Sequence, residues 1–496
     1  MSIRPPNVIL ISTDQQRYDS VGMNGSPFMR TPNMDRVGQE GVSFSRAYCP
    51  NTVCTPSRVS MVTGFHPSRH GAYNIGTYVG DYTHFLSTIL GNHGYRTHHI
   101  GKAHWHPFWA QSPENRPVPK DGGPFHDFAG FQTAEICIGH TTFGVTGHYE
   151  QWVRQRGFDP ATLKVDRLFD FDPNDTGDWN LPVELHSGAW LAERAQAFLD
   201  DLGGGSPFFL NLGFQDPHHP HVLPHDFENR VDPQAVPLPD IDVGAETGMS
   251  EHISLLLDGG IVESRFNGTY VIAGNVRDPW RAYFQDEAKS RATRAYYYSM
   301  VQLIDEQLGR ILEAVDRNEL ARDTIVIFTS DHGEMLGDHG IGQKGPFAYE
   351  GVLNIPFLMR YPAGFEPSAV DDCVSLVDVV PTVLDFAGID DGVRRDGVSL
   401  RARLQGTAPL DRRGVRVEFK EEPDRLRFKC WVTEEWKLVV YTGEPMGELF
   451  DLKNDPGEKH NLFHEPRYQE TKFELLAELL ADMERSEPLY PRLSRA

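Results

Sequence analysis

Cysteine is scarce in this sequence: the chain of 496 residues has five, and no two of them form a CxxC pair. An odd number of scattered cysteines does not resemble a disulfide framework, so we expect reduced thiols. The chain also has no run of roughly 20 apolar residues, the length needed to cross a bilayer. Its first residues hold only a short apolar segment, without the pattern of a signal peptide. These absences predict a cytoplasmic protein with no membrane partner.

Positive charge is in the minority as well. The chain has 47 Lys and Arg against 70 Asp and Glu, which gives a formal net charge of -23. Because a field of that sign repels nucleic acid, we expect no nucleic-acid partner. An anionic substrate would therefore need a local cluster of cations. Hydrophobic residues form 39% of a chain longer than one core usually organises, so we expect two packed units.

Two continuous apolar runs predict buried strands of a parallel sheet. They are NVILIST at 7–13 and TIVIFTS at 324–330, with helical patterns such as 189–202 between them. This alternation predicts an α/β fold with a large, mostly parallel sheet flanked by helices. Short strands near the C-terminus, followed by a helix near 471–485, predict a smaller α+β unit that contains an antiparallel sheet. The predicted units are a catalytic domain at 1–405 and a C-terminal subdomain at 406–496.

Polar side chains directly follow both apolar runs. Asp14 and Gln15 follow the first run, and Asp331 and His332 follow the second. Because ligands of open α/β sheets gather outside the carboxyl ends of the strands, we expect these four side chains to meet there. Two carboxylates, an amide oxygen and an imidazole suit one divalent cation.

The segment CTPSR, from Cys54 to Arg58, is the most specific local pattern. Pro56 fits the first turn of a helix and Gly64 its C-terminal stop, so Cys54 would lie at or just before a helix N-terminus. Free N–H groups and the helix dipole favour an anion there. From the residues alone, Cys54 fits a thiolate nucleophile with a lowered pKa.

Taken together, these segments resemble the sulfatases, a branch of the alkaline phosphatase superfamily. In that family the C-x-P-S-R sequence directs oxidation of the cysteine to formylglycine, and residues 54–58 match it at every required position. Further matching segments lie in family order along nearly the whole chain: GKAH at 101–104, DPH at 216–218, DHG at 331–333, Lys344 and ELFDL at 448–452. The resemblance implies an alkaline phosphatase-like fold and a hydrolase of aryl or similar small sulfate esters. It also implies a formylglycine-generating enzyme as a partner during maturation.

The resemblance further implies a route for the reaction. The aldehyde at position 54 is hydrated, one hydroxyl of the hydrate attacks sulfur, and the ester oxygen departs with the alcohol. The second hydroxyl then loses its proton to a nearby base, expels sulfate and restores the aldehyde. Such a route divides one difficult displacement into two easier steps. One divalent metal ion and several cationic side chains offset the charge of the sulfuryl oxygens.

A role for each matched residue follows from the same resemblance. Arg58 holds the hydrate, Lys102 bridges it to the substrate, and His104 is the base that releases sulfate. His218 and Lys344 approach the oxygen of the leaving group. His218 is the expected proton donor because its ordinary pKa lies near neutrality. The implied metal ligands are Asp14, Gln15, Cys54, Asp331 and His332.

Two positions depart from the usual sulfatase pattern. Many sulfatases have a second Asp where this chain has Gln15, and Asn or Gln where it has His332. The departure lowers the charge of the ligands and adds a nitrogen donor, so the ion is left open among Mn, Ca, Zn and Fe.

Three alternatives remain open from the sequence. Phosphonate monoester hydrolases and phosphodiesterases, a related formylglycine group, share the Asp-Gln and Asp-His pattern, and hydrolysis of such esters is the alternative function. That group has uncharged residues in place of Lys102 and His104, which favours sulfate esters for this chain. A catalytically silent relative is a second alternative, against which intact Cys54 and Arg58 argue. A metal-free cysteine hydrolase is the third alternative, against which the lack of a separate Cys-His-Asn arrangement argues. The sequence also leaves the oligomeric state open, a homo-oligomer included.

Overall fold

The strands and helices follow the order expected of an α/β chain. The protein is described by a computed structural model that covers residues 5–108, 111–170, 175–239, 241, 246–257, 280–421 and 426–487. The strands are β1 Asn7–Thr13, β2 Val42–Phe44, β3 Ala47–Tyr48, β4 Arg96–Lys102, β5 Phe125–Phe128, β6 Phe131–Cys137, β7 Val165–Arg167, β8 Gly177–Trp179, β9 Phe208–Gly213, β10 Val222–Pro224, β11 Thr324–Ser330, β12 Phe357–Arg360, β13 Ser368–Val370, β14 Val374–Ser375, β15 Gly414–Lys420, β16 Arg427–Thr433, β17 Trp436–Tyr441 and β18 Gly447–Asp451. The α-helices are α1 Pro32–Gln39, α2 Cys54–Thr63, α3 Pro67–His70, α4 Leu86–Asn92, α5 Gly147–Gln155, α6 Ser187–Asp200, α7 Glu251–Leu257, α8 Trp280–Gln285, α9 Glu287–Arg317, α10 Glu350–Leu353, α11 Val379–Ala387, α12 Arg401–Leu404 and α13 Gln469–Arg485.

A nine-stranded sheet with the order β13-β2-β12-β11-β1-β9-β4-β6-β5 forms the centre of the fold. Its middle strands, from β11 to β6, run parallel to one another, whereas β12 and β5 run antiparallel to their neighbours β11 and β6. Asn7 pairs with Thr324 and Thr13 with Ser330, so β1 and β11 end side by side. The predicted mostly parallel sheet is confirmed, and its register aligns the residues that follow these two strands.

The continuous apolar runs in β1 and β11 are explained by cover on both faces of the sheet. All seven residues of each strand are buried. Because side chains alternate between the faces of a strand, Val8 and Leu10 join the core that includes α2, while Ile9 and Ile11 join the core under α6 and α9.

A second, antiparallel sheet with the order β15-β16-β17-β18 lies near the C-terminus. Trp431 and Leu438 on this sheet pack against Leu475 and Leu479 of α13. The predicted α+β character of this region is confirmed. The boundary between residues 405 and 406 stays a prediction; it falls between the end of α12 and the start of β15.

Two smaller sheets complete the described strands: β10-β8-β7 and β14-β3. The five cysteines all lie within the described residues, where each is a buried free thiol. Among the described helices, none combines the length and the apolar character that a bilayer span requires.

Candidate active site at the carboxyl edge of the central sheet

Two strand ends and one helix start meet at one edge of the central sheet. β1 leads directly into Asp14 and β11 into Asp331, while Cys54 is the first residue of α2 and follows an extended Val53. The predicted position of Cys54 at a helix N-terminus is confirmed. All three functional side chains are fully buried. The carboxyl edge of the sheet therefore places two carboxylates beside the sulfur of Cys54.

A group of four side chains at this edge fits a divalent ion. One potential ligand atom from each of Asp14, Cys54, Asp331 and His332 lies within 4.8 Å of the others. His332 Nδ1 lies 2.9 Å from the carbonyl of Gly333, which assigns the ring proton to Nδ1 and leaves a lone pair on Nε2. His332 Nε2 is 3.3 Å from Cys54 Sγ, 3.7 Å from Asp331 Oδ1 and 3.9 Å from Asp14 Oδ1. A backbone partner that orients the imidazole in this way is typical of metal-binding histidines.

Gln15 lies beside this group in a left-handed backbone conformation, with φ 71°. Its amide N–H donates to Asp331 Oδ1 at 3.0 Å, and its carbonyl accepts from the Tyr297 hydroxyl at 2.8 Å. In the side chain, Oε1 accepts from Lys344 Nζ at 2.6 Å and Nε2 donates to the Glu334 carboxylate. The structure therefore brings Gln15 to the site, and its role as a metal ligand stays a prediction.

Three buried cations surround the two carboxylates. Arg58 Nε lies 2.7 Å from Asp331 Oδ2, and Arg58 Nη2 lies 3.2 Å from Asp14 Oδ2. The Lys102 ammonium contacts Asp14 directly, and Lys344 Nζ donates to Cys54 Sγ at 3.2 Å. Burial opposes ionisation of Asp14, but Lys102, Arg58 and Lys344 hold its pKa well below the usual range. This is the local cluster of cations that an anionic substrate would need in a chain with net negative charge.

The unmodified thiol of Cys54 is not a low-pKa nucleophile. Burial raises the pKa of Cys54 to about 11, and the carboxylate of Asp14 adds to the effect, while Lys344 opposes it. The interpretation of Cys54 as a thiolate with a lowered pKa is therefore wrong for the free side chain. The helix N-terminus favours an anion, but desolvation and two adjacent carboxylates outweigh it.

Aromatic side chains and three histidines line the site next to Lys102. The His104 ring stacks on Phe108 with centroids 4.2 Å apart, and the His140 ring stacks on His218 with centroids 3.5 Å apart. His140 Nδ1 lies 2.6 Å from Lys102 Nζ, so it accepts from the ammonium. Both ring nitrogens of His104 are buried and have no hydrogen-bond partner among the described residues. His104 is therefore free to receive a proton.

These histidines are neutral near neutral pH. Burial lowers the pKa of His104 well below its ordinary value, and the Lys102 ammonium lowers it further. Burial also lowers the pKa of His218 well below its ordinary value, together with His140 and Lys344. The ordinary pKa of histidine, which made His218 the expected proton donor, is therefore not the pKa of His218 in this environment. Its role as a proton donor stays a prediction.

The carboxylate of Glu114 holds the loop that follows β4. Its oxygens accept from the backbone N–H groups of His104 at 3.2 Å, Trp105 at 2.9 Å and His106 at 3.1 Å. His106 Nδ1 lies 3.0 Å from the same carboxylate. Since Glu114 is only 2% exposed, these contacts fix the backbone on which His104 stands.

The structure brings every predicted site residue to this edge: Asp14, Gln15, Cys54, Arg58, Lys102, His104, His218, Asp331, His332 and Lys344. Sequence reasoning missed His140 and Glu114. His140 follows β6, and a polar residue after a parallel strand was a usable signal; β6 itself, FQTAEIC, mixes polar and apolar residues and so does not stand out as a buried strand. Glu114 lies in a single 3-10 turn, Pro113–Asn115, which is too short for a periodic pattern to mark it.

Comparisons with known proteins show which family this chain matches. A family model described as Sulfatase matches residues 6–389. A second model, described as N-sulphoglucosamine sulphohydrolase, C-terminal, matches residues 337–485. The first match alone spans most of the chain and includes every predicted site residue.

Individual relatives match along nearly their whole length. An arylsulfatase of Clostridium perfringens is 29% identical over 490 residues, which cover 98% of this chain and 96% of the relative. A multifunctional alkaline phosphatase superfamily protein, PehA of Trinickia caryophylli, is 29% identical over 497 residues, which cover 93% of this chain and 92% of the relative. The crystal structure of a phosphonate monoester hydrolase of Agrobacterium radiobacter superposes with a TM-score of 0.79 at 24% identity, over 97% of this chain and 96% of that one. At that identity the superposition establishes a common fold.

Proposed function

We propose that this chain, which belongs to the sulfatase family and is a sulfuric ester hydrolase, cleaves aryl or similar small sulfate esters through a formylglycine made from Cys54. The observation that carries the proposal is the position of Cys54 Sγ, 3.3 Å from His332 Nε2 and 3.2 Å from Lys344 Nζ. A nucleophile at this position touches both the candidate metal group and the cations. In the overall reaction, one ester monoanion and one water give the alcohol and hydrogen sulfate.

The donor set supports a single divalent ion in this reaction. Asp14, Asp331, His332 and the group at position 54 would hold it, with Gln15 beside them. Once bound, the ion would supply positive charge that polarises the sulfuryl oxygens and favours an ionised oxygen nucleophile. The nitrogen donor of His332 favours Mn, Zn or Fe over Ca.

Arg58 mainly positions the two carboxylates. A guanidinium has five N–H donors. Those of Arg58 reach Asp331, Asp14, the carbonyl of Thr13 at 3.3 Å and the carbonyl of Lys102 at 3.2 Å. These four bonds leave one N–H, on Nη1, for the group at position 54.

Contacts favour Lys344 over His218 as the group that holds a proton near the leaving oxygen. Burial lowers the pKa of Lys344, but an ionised Cys54, Asp14 and Asp331 together raise it above its ordinary value. With formylglycine at position 54, Asp14 and Asp331 remain to favour the ammonium form. His218 Nδ1 lies 2.5 Å from the carbonyl of His219 and donates to it, which leaves a lone pair on Nε2 of the neutral ring. His104, neutral and with both nitrogens unpaired among the described residues, suits the base that releases sulfate.

Hydrolysis of phosphonate monoesters or phosphodiesters is the second candidate. The observation in its favour is the pair Gln15 and His332 at the metal site, together with the fold shared with a phosphonate monoester hydrolase. Lys102 and His104 favour sulfate esters, because the resemblance implies uncharged residues at both positions in that related group. Here Lys102 contacts Asp14, and its charge acts on His104.

The deciding experiment compares kcat/KM for 4-nitrophenyl sulfate and 4-nitrophenyl phenylphosphonate. It uses protein in which mass spectrometry confirms formylglycine at position 54, with Mn²⁺ added. We expect the sulfate to be preferred by several orders of magnitude. The reverse preference would identify a phosphonate or phosphodiester hydrolase. If the unmodified thiol hydrolyses the sulfate equally well, formylglycine is not the nucleophile.

A further inference from the structure

A cavity of about 740 Å³ opens beside the catalytic centre and has no role in the reaction described so far. Two of its lining residues, Phe108 and His140, also contact that centre. Phe108 stacks on His104, its ring centroid 5.8 Å from Lys102 Nζ, and His140 Nδ1 accepts from the same ammonium. The cavity therefore begins where Lys102 would hold one end of a substrate.

Apolar and aromatic side chains form much of the wall. Phe108 and His140 meet edge to face with centroids 5.5 Å apart, and Val118, Ile138 and Phe143 also line the cavity. Phe143 is 68% exposed, which is unusual for a phenylalanine. A planar apolar ring that enters the cavity would cover these side chains and make edge or face contacts with Phe108.

Two of the charged groups in the lining are already committed to protein partners. Both oxygens of Glu114 accept from the backbone of the loop that follows β4. Arg154 is held by Glu150, with Nε at 3.0 Å, and by Asp159, with Nη1 at 2.7 Å. These groups have little hydrogen-bonding capacity left for a ligand.

Arg116 is the exception. Its guanidinium lies over the Phe125 ring, 4.0 Å from the centroid, and Nη2 donates to the His126 carbonyl at 3.0 Å. Nε is buried and has no hydrogen-bond partner among the described residues, and the same holds for Oε1 of Gln151, another lining residue. Burial lowers the pKa of Arg116, which Asp127 offsets only in part. Lys120, exposed at the cavity, adds a second cation.

We propose that this cavity binds the alcohol part of the substrate, and that the substrate is an aryl sulfate whose ring has a carboxylate directed at Arg116. The inference rests on the proposed function, since the catalytic centre holds the sulfate end. A carboxylate pairs with the half-buried guanidinium of Arg116 by a charge-assisted interaction, and the ring covers Phe108 and Phe143. A sulfated saccharide would place some of its hydroxyl groups against Phe108, Ile138 and Phe143, where they find no hydrogen-bond partner.

Binding of the product alcohols tests the ligand without catalysis. Calorimetry would compare 3- and 4-hydroxybenzoate with the neutral 3- and 4-hydroxybenzamide. We expect the wild type to bind at least one of the two hydroxybenzoates about tenfold or more tightly than the hydroxybenzamide with the same ring position. Arg116→Met should lose that preference. Arg156→Met is the matched control, because Arg156 lies over Trp152 and pairs with Glu193 outside the cavity lining. This control should keep the preference. Equal binding of acid and amide by the wild type would overturn the proposal.

A second variant guards against a folding defect in Arg116→Met. Phe143→Ala removes an exposed side chain and should weaken binding of acid and amide by a similar factor, with an unchanged circular dichroism spectrum. Unchanged affinity for both ligands would overturn the aromatic part of the proposal.

Kinetics separates this inference from the proposed function. The sulfate esters of the same acids and amides are compared by kcat/KM, with the difference between acid and amide expected mainly in KM. If no sulfate ester is hydrolysed but the carboxylate preference in binding stands, the proposed function fails and the ligand of the cavity stands. If the acid and amide esters are hydrolysed equally well, the inference fails and the proposed function stands.

Discussion

Replacement of Glu114 by Gln tests whether the loop after β4 positions the catalytic centre. Glu114 Oε2 accepts from the His104 N–H, while Oε1 accepts from the N–H groups of Trp105 and His106 and from His106 Nδ1. A glutamine keeps one acceptor oxygen, so its NH₂ group would face one of these N–H donors. One charge-assisted hydrogen bond is lost and the others become neutral hydrogen bonds, which should lower the free energy of unfolding by about 2 to 4 kcal/mol.

The expected result of Glu114→Gln is a fall in kcat rather than a rise in KM. If His104 shifts by ~1 Å, turnover should fall by about 100-fold, because catalysis depends steeply on the placement of reacting groups. Initial rates with 4-nitrophenyl sulfate give kcat and KM, and urea denaturation gives the change in stability. Glu150→Gln is the matched control, since Glu150 lines the same cavity but pairs only with Arg154 in the contacts described. Unchanged kcat in a destabilised Glu114→Gln protein would refute the positioning role and leave a purely structural one.

Three further outcomes follow from the same geometry. Removal of divalent ions by a chelator should abolish turnover and lower the melting temperature, because Asp14 and Asp331 lose a shared partner. Added Mn²⁺ at about 100 times its Kd should raise the free energy of unfolding by about 2.7 kcal/mol, as measured by thermal denaturation. Because the pKa values of His104 and His218 are lowered in the folded protein, the unfolded chain binds more protons than the folded chain as the pH falls. The contribution of these two histidines to the free energy of unfolding is therefore present above about pH 6.5 and is lost at lower pH. A melting temperature that stays flat between pH 7 and pH 5 would contradict this. Burial raises the pKa of Glu448 to about 7, so its ionisation opposes folding as the pH rises. Glu448→Gln should therefore raise the free energy of unfolding by about 3 kcal/mol well above pH 7 and change it little near pH 4. Urea denaturation at the two pH values measures both effects.

The parts of the site that could be predicted from the sequence lie at the ends of strongly patterned elements. β1 and β11 are continuous apolar runs because both faces of the sheet are covered, and such runs end abruptly at Asp14 and Asp331. Cys54 is marked by Pro56 and Gly64 at the two ends of α2. In these cases a local pattern and the tertiary position depend on the same physical cause, the burial of an apolar element that ends at the site.

The parts that could not be predicted depend on contacts between distant segments. The pKa of Cys54 is set by burial and by Asp14, which is 40 residues away in the chain. The local motif indicates a helix N-terminus, but it carries no information about how far the Cys54 thiol is removed from water. Glu114 contacts the loop of His104 from a single 3-10 turn, and His140 contacts Lys102 from the loop after β6; both segments are too short for side-chain periodicity to give a signal.

The departure from the usual pattern at position 15 has a physical explanation in this fold. The Gln15 side chain bridges an ammonium and a carboxylate: Oε1 accepts from Lys344 Nζ at 2.6 Å, and Nε2 donates to Glu334. An amide accepts on one side and donates on the other, whereas an ionised carboxylate only accepts. An aspartate at this position would repel Glu334 and would form an ion pair with Lys344. The amide therefore leaves the charge of Lys344 available to Cys54 Sγ, and Gln15 would in this way also tune the group that we propose to assist the leaving alcohol.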